Sequence, residues 1–189
     1  MPLLVIISGP SGAGKGTVLK RLLELLDGIG PTVSATTRRP RPGEVDGREY
    51  HFLSRSRFEQ AVSAGRFLEW VEYGGELYGT LRSEVDMPLE AGRDVILEIE
   101  LQGARRVRAE RPDALAVFIA PPSMNDLGRR LKARGTESDE SIARRLTIAE
   151  GEMAAAREFD LVVVNDEVER AAAEVAETVE RRRAGLPQP

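Results

Sequence analysis

The chain has 189 residues, of which 41% are hydrophobic and 31% charged, and its formal net charge is −4. This length favours one substantial core over two independent domains, and the weak negative charge does not favour general nucleic-acid binding. The absence of cysteine excludes disulfides, thiol catalysis and cysteine metal sites. No apolar run is long enough to cross a membrane, so we expect a cytoplasmic protein without a membrane or nucleic-acid partner.

The N-terminal stretch reads as a buried strand, a glycine-rich loop and the start of a helix. Gly9, Gly14 and Lys15 have the Gly-x-x-x-x-Gly-Lys spacing of a phosphate-binding P-loop. Glycines let backbone N–H groups converge on an anion, and the helix directs its positive end to the same place. Lys15 adds a charge for the outer phosphates of a nucleoside triphosphate, whereas the alternative is a glycine-rich turn without a ligand. The expected ATP contacts in this stretch are Gly9, Pro10, Ser11, Gly12, Ala13, Gly14, Lys15, Gly16 and Thr17.

The residue after the P-loop lysine is usually Ser or Thr, whose hydroxyl helps to hold Mg²⁺. Here that residue is Gly16, and the hydroxyl comes one place later, on Thr17. We therefore expect Mg²⁺ as the metal that accompanies ATP, with Thr17 as a candidate ligand.

The elements that follow are predicted from apolar spacing and turn residues. The first of them are a helix over 18–26, a strand over 32–36, a hairpin around Asp46-Gly47, a helix opened by a capping box at 56–59 and ended by Gly65, and strands over 67–73 and 76–80 joined by Gly74-Gly75. Residues 83–91 are ambiguous because Pro88 interrupts their helical pattern. The remaining predictions are strands over 94–100, 115–119 and 161–164, and helices over 123–134, 139–157 and 168–179.

Apolar strands that alternate with helices predict an α/β fold with a central parallel five-stranded sheet of the P-loop NTPase type, flanked by helices. Residues 33–80 read instead as a small, largely antiparallel insert. The chain shows no internal repeat and no linker, so we expect a single domain over 1–189.

The insert carries two arginines and three hydroxyls that suit a phosphate dianion, namely Ser34, Arg38, Arg41, Tyr50 and Tyr78. A solvated basic loop beside two sheet tyrosines is the alternative for this group. Glu69 lies among aromatic residues on a predicted strand. A carboxylate accepts two parallel hydrogen bonds from the N1–H and 2-amino edge of guanine, which adenine does not offer.

Glu98 and Glu100 follow an apolar run at the end of a predicted strand. Because residues two apart on a strand share a face, we expect both carboxylates to face Mg²⁺, its waters or the acceptor base, although a solvent-facing pair is the alternative. Arg130, Arg134 and Arg145 are candidates for stabilising charge during phosphoryl transfer, although charged helix faces are common. His51 is predicted to be structural.

Together these features resemble the guanylate kinase family over nearly the whole chain. The segment Thr36-Thr37-Arg38-Arg39-Pro40-Arg41-Pro42-Gly43-Glu44 is far more specific than the P-loop. The other segments that carry the resemblance are 8–17, 47–52, 67–70, 78–80, 97–103, 119–123, 134–137 and 163–166.

The resemblance implies ATP-dependent phosphorylation of GMP, and of dGMP, to the diphosphate, as in purine nucleotide metabolism. It implies a core over 1–32, 81–122 and 151–189, a GMP-binding insert over 33–80 and a helical lid over 123–150. It gives Lys15, Arg38 and the lid arginines Arg130, Arg134 and Arg145 catalytic roles and places Asn165 near the adenine. The implied GMP contacts are Ser34, Arg38, Arg41, Tyr50, Glu69, Tyr78, Gly79, Thr80, Glu98 and Glu100, with Glu98 also a candidate metal ligand through water.

Two positions depart from the family pattern: Glu100 stands where aspartate is usual, and Thr80 often has a serine counterpart. Two other hypotheses remain open from the sequence. One is a non-catalytic module of this family that binds a partner protein, which the intact P-loop disfavours. The other is a P-loop kinase for AMP or a pyrimidine monophosphate, which Glu69 disfavours. The sequence implies no obligate protein partner and leaves a monomer or a homo-oligomer equally open.

Overall fold

The computed structural model of the chain describes residues 2–133 and 138–186. Its strands are β1 (Leu4–Ser8), β2 (Ile29–Pro31), β3 (Ala35–Thr36), β4 (His51–Phe52), β5 (Phe67–Tyr73), β6 (Glu76–Leu81), β7 (Asp94–Glu98), β8 (Leu115–Ala120) and β9 (Leu161–Val164). Its helices are α1 (Lys15–Leu25), α2 (Arg55–Ser63), α3 (Arg82–Glu90), α4 (Leu101–Glu110), α5 (Met124–Ala133), α6 (Asp139–Ala154) and α7 (Val168–Arg183).

A parallel sheet of five strands, in the order β2-β7-β1-β8-β9, runs through the described part of the chain. Apolar residues cover both of its faces. Val5 and Ile7 pack with α1 and α7, whereas Leu4 and Ile6 pack with α3 and α4. A parallel sheet with helices on both faces needs strands that are apolar throughout, as β1 is. The predicted α/β fold with a central parallel five-stranded sheet is therefore confirmed.

The edge strand of this sheet lies earlier in the chain than predicted. Residues 32–36 do not form one strand: β2 pairs with β7, Thr32 N still donates to Ile96 O at 3.0 Å, and the chain then crosses to β3 in a second sheet. The β-branched run is thus divided between two sheets. Its composition shows β propensity but does not show where the chain changes sheet.

The insert forms its own mixed sheet in the order β4-β3-β6-β5. β5 and β6 pair antiparallel across Gly74-Gly75, as predicted, and both glycines have positive φ values of 61° and 82°. The rings of Phe58 and Phe67 stack at 4.2 Å between centroids and form a core separate from that of the main sheet. The small mixed insert is thus present as a structural unit.

The predicted hairpin around Asp46-Gly47 is wrong. β4 instead pairs parallel with β3, with Ala35 opposite His51, and the residues immediately before the turn form no strand. Two backbone N–H groups of this segment donate to side-chain carboxylates and not to a neighbouring strand. Asp46 Oδ1 accepts from Phe52 N at 2.8 Å, and Glu49 Oε2 accepts from Val45 N at 2.7 Å. Asp-Gly is a hairpin signal only when two strands flank it.

Several helix boundaries differ from the predictions, among them the start of α1 at Lys15 and the end of α7 at Arg183. The cap of α2 is Ser54, whose side chain accepts from Arg57 N at 3.3 Å, so the predicted capping box at 56–59 lies inside the helix. Residues 83–91 are helical, and Pro88 lies within α3. The predicted helix over 139–157 ends at Ala154 and is followed by a 3₁₀ turn, Ala156–Glu158.

Glu84 in the first turn of α3 joins the insert to the main sheet. One carboxylate oxygen accepts from Val33 N at 3.1 Å, and the other lies 2.9 Å from His51 Nε2. These contacts come from both ends of the β3–β4 segment. They agree with a structural role for His51.

Candidate active site

The P-loop lies between β1 and α1, at the C-terminal end of the parallel strands. Its glycines at 9, 12 and 14 have φ values of 138°, 95° and 93°, which side chains rarely adopt. A Cβ at Gly9 would lie 2.2 Å from the carbonyl oxygen of Ile119 in β8. Glycine here therefore allows close packing of the loop against the sheet as well as the required turn.

Lys15 is buried, with 8% of its surface exposed, and its ammonium group folds back across the loop. Nζ donates to the carbonyl oxygen of Gly9 at 2.6 Å and lies 3.4 Å from that of Pro10. On the outer side of the same loop, Ser11 Oγ accepts from Arg145 Nη1 at 3.2 Å. α6 thus brings an arginine to the loop that carries Lys15.

Arg130 and Asn165 hold the loop from the other side. Arg130 Nη1 donates to Ala13 O at 3.1 Å, and Nη2 donates to Asn165 O at 2.8 Å. Asn165 Nδ2 donates to the same Ala13 oxygen at 2.8 Å. Any Cβ at Gly14 would lie 2.3 Å from Asn165 Nδ2, so this contact also requires glycine. Arg130 is half-buried here, whereas the sequence placed it on an exposed helix face.

Arg38 comes together with Tyr50 and Tyr78 in the insert. Arg38 lies 5.4 Å from the ring centroid of Tyr50, and Tyr50 packs edge-on against Tyr78 at 6.2 Å. Burial raises the pKa of the Tyr50 hydroxyl, so this group stays a neutral donor. Ser34 is half-buried and Arg41 is exposed on the loop that precedes β4.

Glu69 on β5 is a buried carboxylate, with 6% of its surface exposed. Thr80 Oγ1 on β6 donates to its Oε1 at 2.8 Å. A Cβ at Gly103 in α4 would lie 2.9 Å from Oε2, so this glycine gives the carboxylate its space. Burial raises the pKa of Glu69, and the Thr80 hydrogen bond partly opposes that shift. Gly79 on β6 allows close packing against β5, because a Cβ there would lie 2.6 Å from the Glu69 carbonyl oxygen.

Glu98 and Glu100 both lie on the exposed side of the chain, with the buried Ile99 between them, although the strand ends earlier than predicted. β7 ends at Glu98, and Glu100 is the N-cap residue of α4. Ile99 N donates to Ile7 O at 3.1 Å between them. The backbone at Glu100 is still extended, with φ −75° and ψ 162°, so the two-residue alternation continues beyond the end of the strand up to the start of α4.

Acidic groups nevertheless gather around Lys15. The Glu98 side chain is exposed, but the protein atoms around it raise its pKa. The positive charge of Lys15 lowers this pKa, and the negative charge of Glu100 raises it further. Burial and Glu100 likewise raise the pKa of Glu152 on α6, and Lys15 again opposes the shift. Glu152 was not singled out from the sequence. Its spacing of seven residues from Arg145, two helical turns on the same face, is the signal that could have found it.

The profile of the family described as guanylate kinase matches residues 1–182. This chain belongs to the guanylate kinase family. The guanylate kinase of Rubrobacter xylanophilus is 54% identical over 182 residues, covering 96% of this chain and 95% of the relative. That of Trichormus variabilis is 50% identical over 168 residues, covering 89% and 84%.

A solved structure leads to the same family. The crystal structure of guanylate kinase from Anaplasma phagocytophilum superposes with a TM-score of 0.76 at 30% identity, covering 99% of this chain and 87% of that one. The reaction is therefore ATP-dependent phosphorylation of GMP to GDP, and the chain is a kinase. No helix in the described ranges is long and apolar enough to cross a membrane.

The guanylate kinase fold brings several of the predicted residues into two groups, and Glu69 and Thr80 form a separate pair. Lys15, Arg130, Arg145 and Asn165 meet at the P-loop, and Arg38, Tyr50 and Tyr78 meet in the insert. Arg134 lies outside the described residues. Gly103 and Glu152 are the additions that the sequence did not indicate.

Proposed function

We propose that GMP binds in the insert, with guanine read by Glu69 and Thr80 and the phosphate held by Ser34, Arg38, Arg41, Tyr50 and Tyr78. Gly103 gives the Glu69 carboxylate its space, Gly79 precedes Thr80 on β6, and Glu100 lies at the start of α4. The observation that supports this most is the buried Glu69–Thr80 pair. A buried carboxylate is costly unless its oxygens receive hydrogen bonds, and the N1–H and 2-amino groups of guanine supply two.

We propose further that ATP binds along residues 9–17, with Asn165 on the adenine side. Lys15, Arg38, Arg130, Arg134 and Arg145 would stabilise the charge that spreads over the transferring phosphoryl oxygens. Support comes from the contacts of Arg130 and Arg145 with P-loop atoms, because these arginines already lie beside the phosphate cradle. No covalent intermediate is required, since positioning and electrostatics carry the rate.

The residues beside the P-loop fit a hydrated Mg²⁺. The Cβ position of Gly16 lies 3.7 Å from Glu98 Oε2, and Thr17 is exposed next to it. Within 2–133 and 138–186, no group of three or more His, Cys, Asp or Glu could hold a metal ion. Mg²⁺ with nucleotides takes one or two carboxylates and completes its shell with waters and phosphate oxygens. Thr17 and Glu98, the latter through water, would hold the metal, which neutralises phosphate charge when bound.

We propose that residues 123–150 form the lid and that residues 33–80 form the GMP-binding insert. Within the lid, an apolar cluster joins α5 and α6. Leu127, Leu131 and Ile142 in that cluster are buried, so α5 and α6 can move as one body. Closure over both substrates excludes water, which otherwise competes as phosphate acceptor. We also propose that the enzyme acts in the cytoplasm on GMP and dGMP and requires no protein, nucleic acid or membrane partner.

The acceptor site can be tested by equilibrium binding of GMP, IMP and AMP to the unmodified chain. IMP keeps N1–H and O6 but lacks the 2-amino group, so it loses one of the two hydrogen bonds to Glu69. A hydrogen bond to a charged group is worth roughly 10–100-fold in affinity, and we expect IMP to bind more weakly than GMP by about that factor. AMP should bind more weakly still. AMP affinity within about threefold of GMP affinity would contradict the proposed base contacts.

A further inference from the structure

Arg38 is held by Glu44 in a closed pair of hydrogen bonds. Nη1 donates to Oε2 and Nη2 donates to Oε1, both at 2.9 Å, and the two side chains are only 16% and 17% exposed. Arg38 Nη1 also donates to the carbonyl oxygen of Arg39 at 2.8 Å. The guanidinium plane is further fixed by the rings of Tyr50 and Phe52, at 5.4 and 5.7 Å from their centroids.

These contacts occupy the hydrogen-bond donors along one edge of the guanidinium group. They use both hydrogens of Nη1 and one of Nη2. They do not use Nε–H or the second hydrogen of Nη2, which point to the same side and form the lateral fork of arginine. The Tyr78 hydroxyl, itself a proposed phosphate ligand, also hydrogen-bonds with the guanidinium. Two parallel N–H groups match two oxygens of a phosphate.

Glu44 also fixes the loop that carries the second phosphate-binding arginine. Its Oε2 accepts from Arg41 N at 2.7 Å, and Glu44 N donates to Arg41 O at 3.0 Å. One carboxylate therefore sets the orientation of Arg38 and the backbone at Arg41 together. The Arg38 guanidinium correspondingly holds the pKa of Glu44 below its usual value, with the Arg41 amide contributing, so the carboxylate stays ionised at neutral pH.

We propose that Glu44 is a positioning residue that directs the lateral fork of Arg38 towards the 5′-phosphate of the acceptor nucleotide. This inference rests on the proposed GMP site. The arginine side chain has large rotamer entropy, and ordering it before the substrate arrives removes that cost from binding.

Direct electrostatic repulsion predicts the opposite effect, that Glu44 weakens GMP binding. Glu44 is an anion beside the site of a phosphate dianion, and it occupies hydrogen-bond donors of Arg38. If repulsion or competition dominated, removing its charge would strengthen GMP binding. The two accounts therefore differ in the sign of the effect.

The test compares Glu44→Gln with Glu49→Gln in the full chain. Glu49 is a matched control, because it lies on the same loop and makes bonds of the same kind, to Val45 N at 2.7 Å and to Arg48 Nε at 2.6 Å, without contacting Arg38. We expect Glu44→Gln to raise the KM and Kd for GMP about tenfold, and to leave the KM for ATP and the Kd for guanosine, which lacks the phosphate, within about twofold. Glu49→Gln should change none of these values.

A double-mutant cycle identifies the residue through which Glu44 acts. In an Arg38→Ala background, Glu44→Gln should cause a much smaller loss of GMP affinity than in the wild-type chain, because only the contact with the Arg41 backbone remains to be weakened. Tighter GMP binding, an unchanged Kd, or an equal loss of guanosine binding would each overturn the inference. The proposed site is tested separately by the wild-type protein, since failure to prefer GMP over AMP there would refute the site before any variant is compared.

Discussion

Replacing Lys15 by methionine is expected to lower kcat by about 10²–10³-fold. Methionine keeps the unbranched stem but removes the charge that would neutralise the outer phosphates of ATP. The loss should exceed that of other single substitutions, because Lys15 would interact with charge that develops during the transfer itself. Steady-state kinetics with saturating ATP and GMP measure the effect.

Lys20→Met is the matched control for this prediction. Lys20 lies on the same helix but is exposed, so its replacement should leave kcat within about twofold. Thermal unfolding of both variants checks the fold. The lost contacts of Lys15 with the carbonyl oxygens of Gly9 and Pro10 should shift the Tm by no more than a few degrees. Near-normal turnover in a folded Lys15→Met protein would remove Lys15 from the mechanism.

Replacing Glu69 by glutamine is expected to lower kcat/KM for GMP by about 10²–10³-fold while changing the KM for ATP little. The amide directs N–H donors at a base edge that is itself made of donors, and a mismatch of buried polar groups carries a large penalty. Glu72→Gln is the control, since Glu72 lies on the same strand with its side chain exposed. Equal losses for GMP and ATP would show that Glu69 maintains the fold and does not recognise the guanine base.

The same residue predicts a pH dependence. Glu69 must be ionised to accept both hydrogen bonds, and burial raises its pKa above the ordinary value of 4.5. GMP affinity should therefore fall on acidification at a higher pH than an ordinary glutamate would give. Bound guanine lowers this pKa, because its donors stabilise the charged form. Glu69→Gln should abolish this acidic limb, and a limb that persists in the variant would have to come from another group.

Much of the fold follows from local patterns. β1 and the P-loop are specified by an apolar run followed by glycines with fixed spacing, and β5 and β6 by two strands around Gly74-Gly75. These signals lie within a few residues of each other, so short-range geometry is sufficient. The same holds for Lys15, which the spacing of the loop identifies directly.

Features that depend on tertiary context were not predictable in this way. The division of 32–36 between two sheets depends on pairing with β7 and β6, which are distant in sequence. The end of β7 at Glu98, earlier than predicted, depends on where α4 begins. The contact of Asn165 with Ala13 joins residues 152 positions apart, which no spacing rule foresees.

The P-loop is also more constrained than its sequence indicates. Ala13 O accepts hydrogen bonds from Arg130 and Asn165, so α5 and the residue that follows β9 both hold the P-loop. A side chain proposed to stabilise the transferring phosphoryl group thus already contacts the cradle. The position of α5 and the shape of the loop are linked through this contact.

The most direct test of the account is a coupled measurement of ADP release with GMP, dGMP, AMP, CMP and UMP as acceptors. The central claim is that a buried carboxylate in the insert selects guanine as the phosphoryl acceptor. We expect kcat/KM for GMP to exceed that for AMP, CMP and UMP by at least about 10³-fold, with dGMP the best of the alternatives. Comparable values for GMP and AMP would contradict the claim.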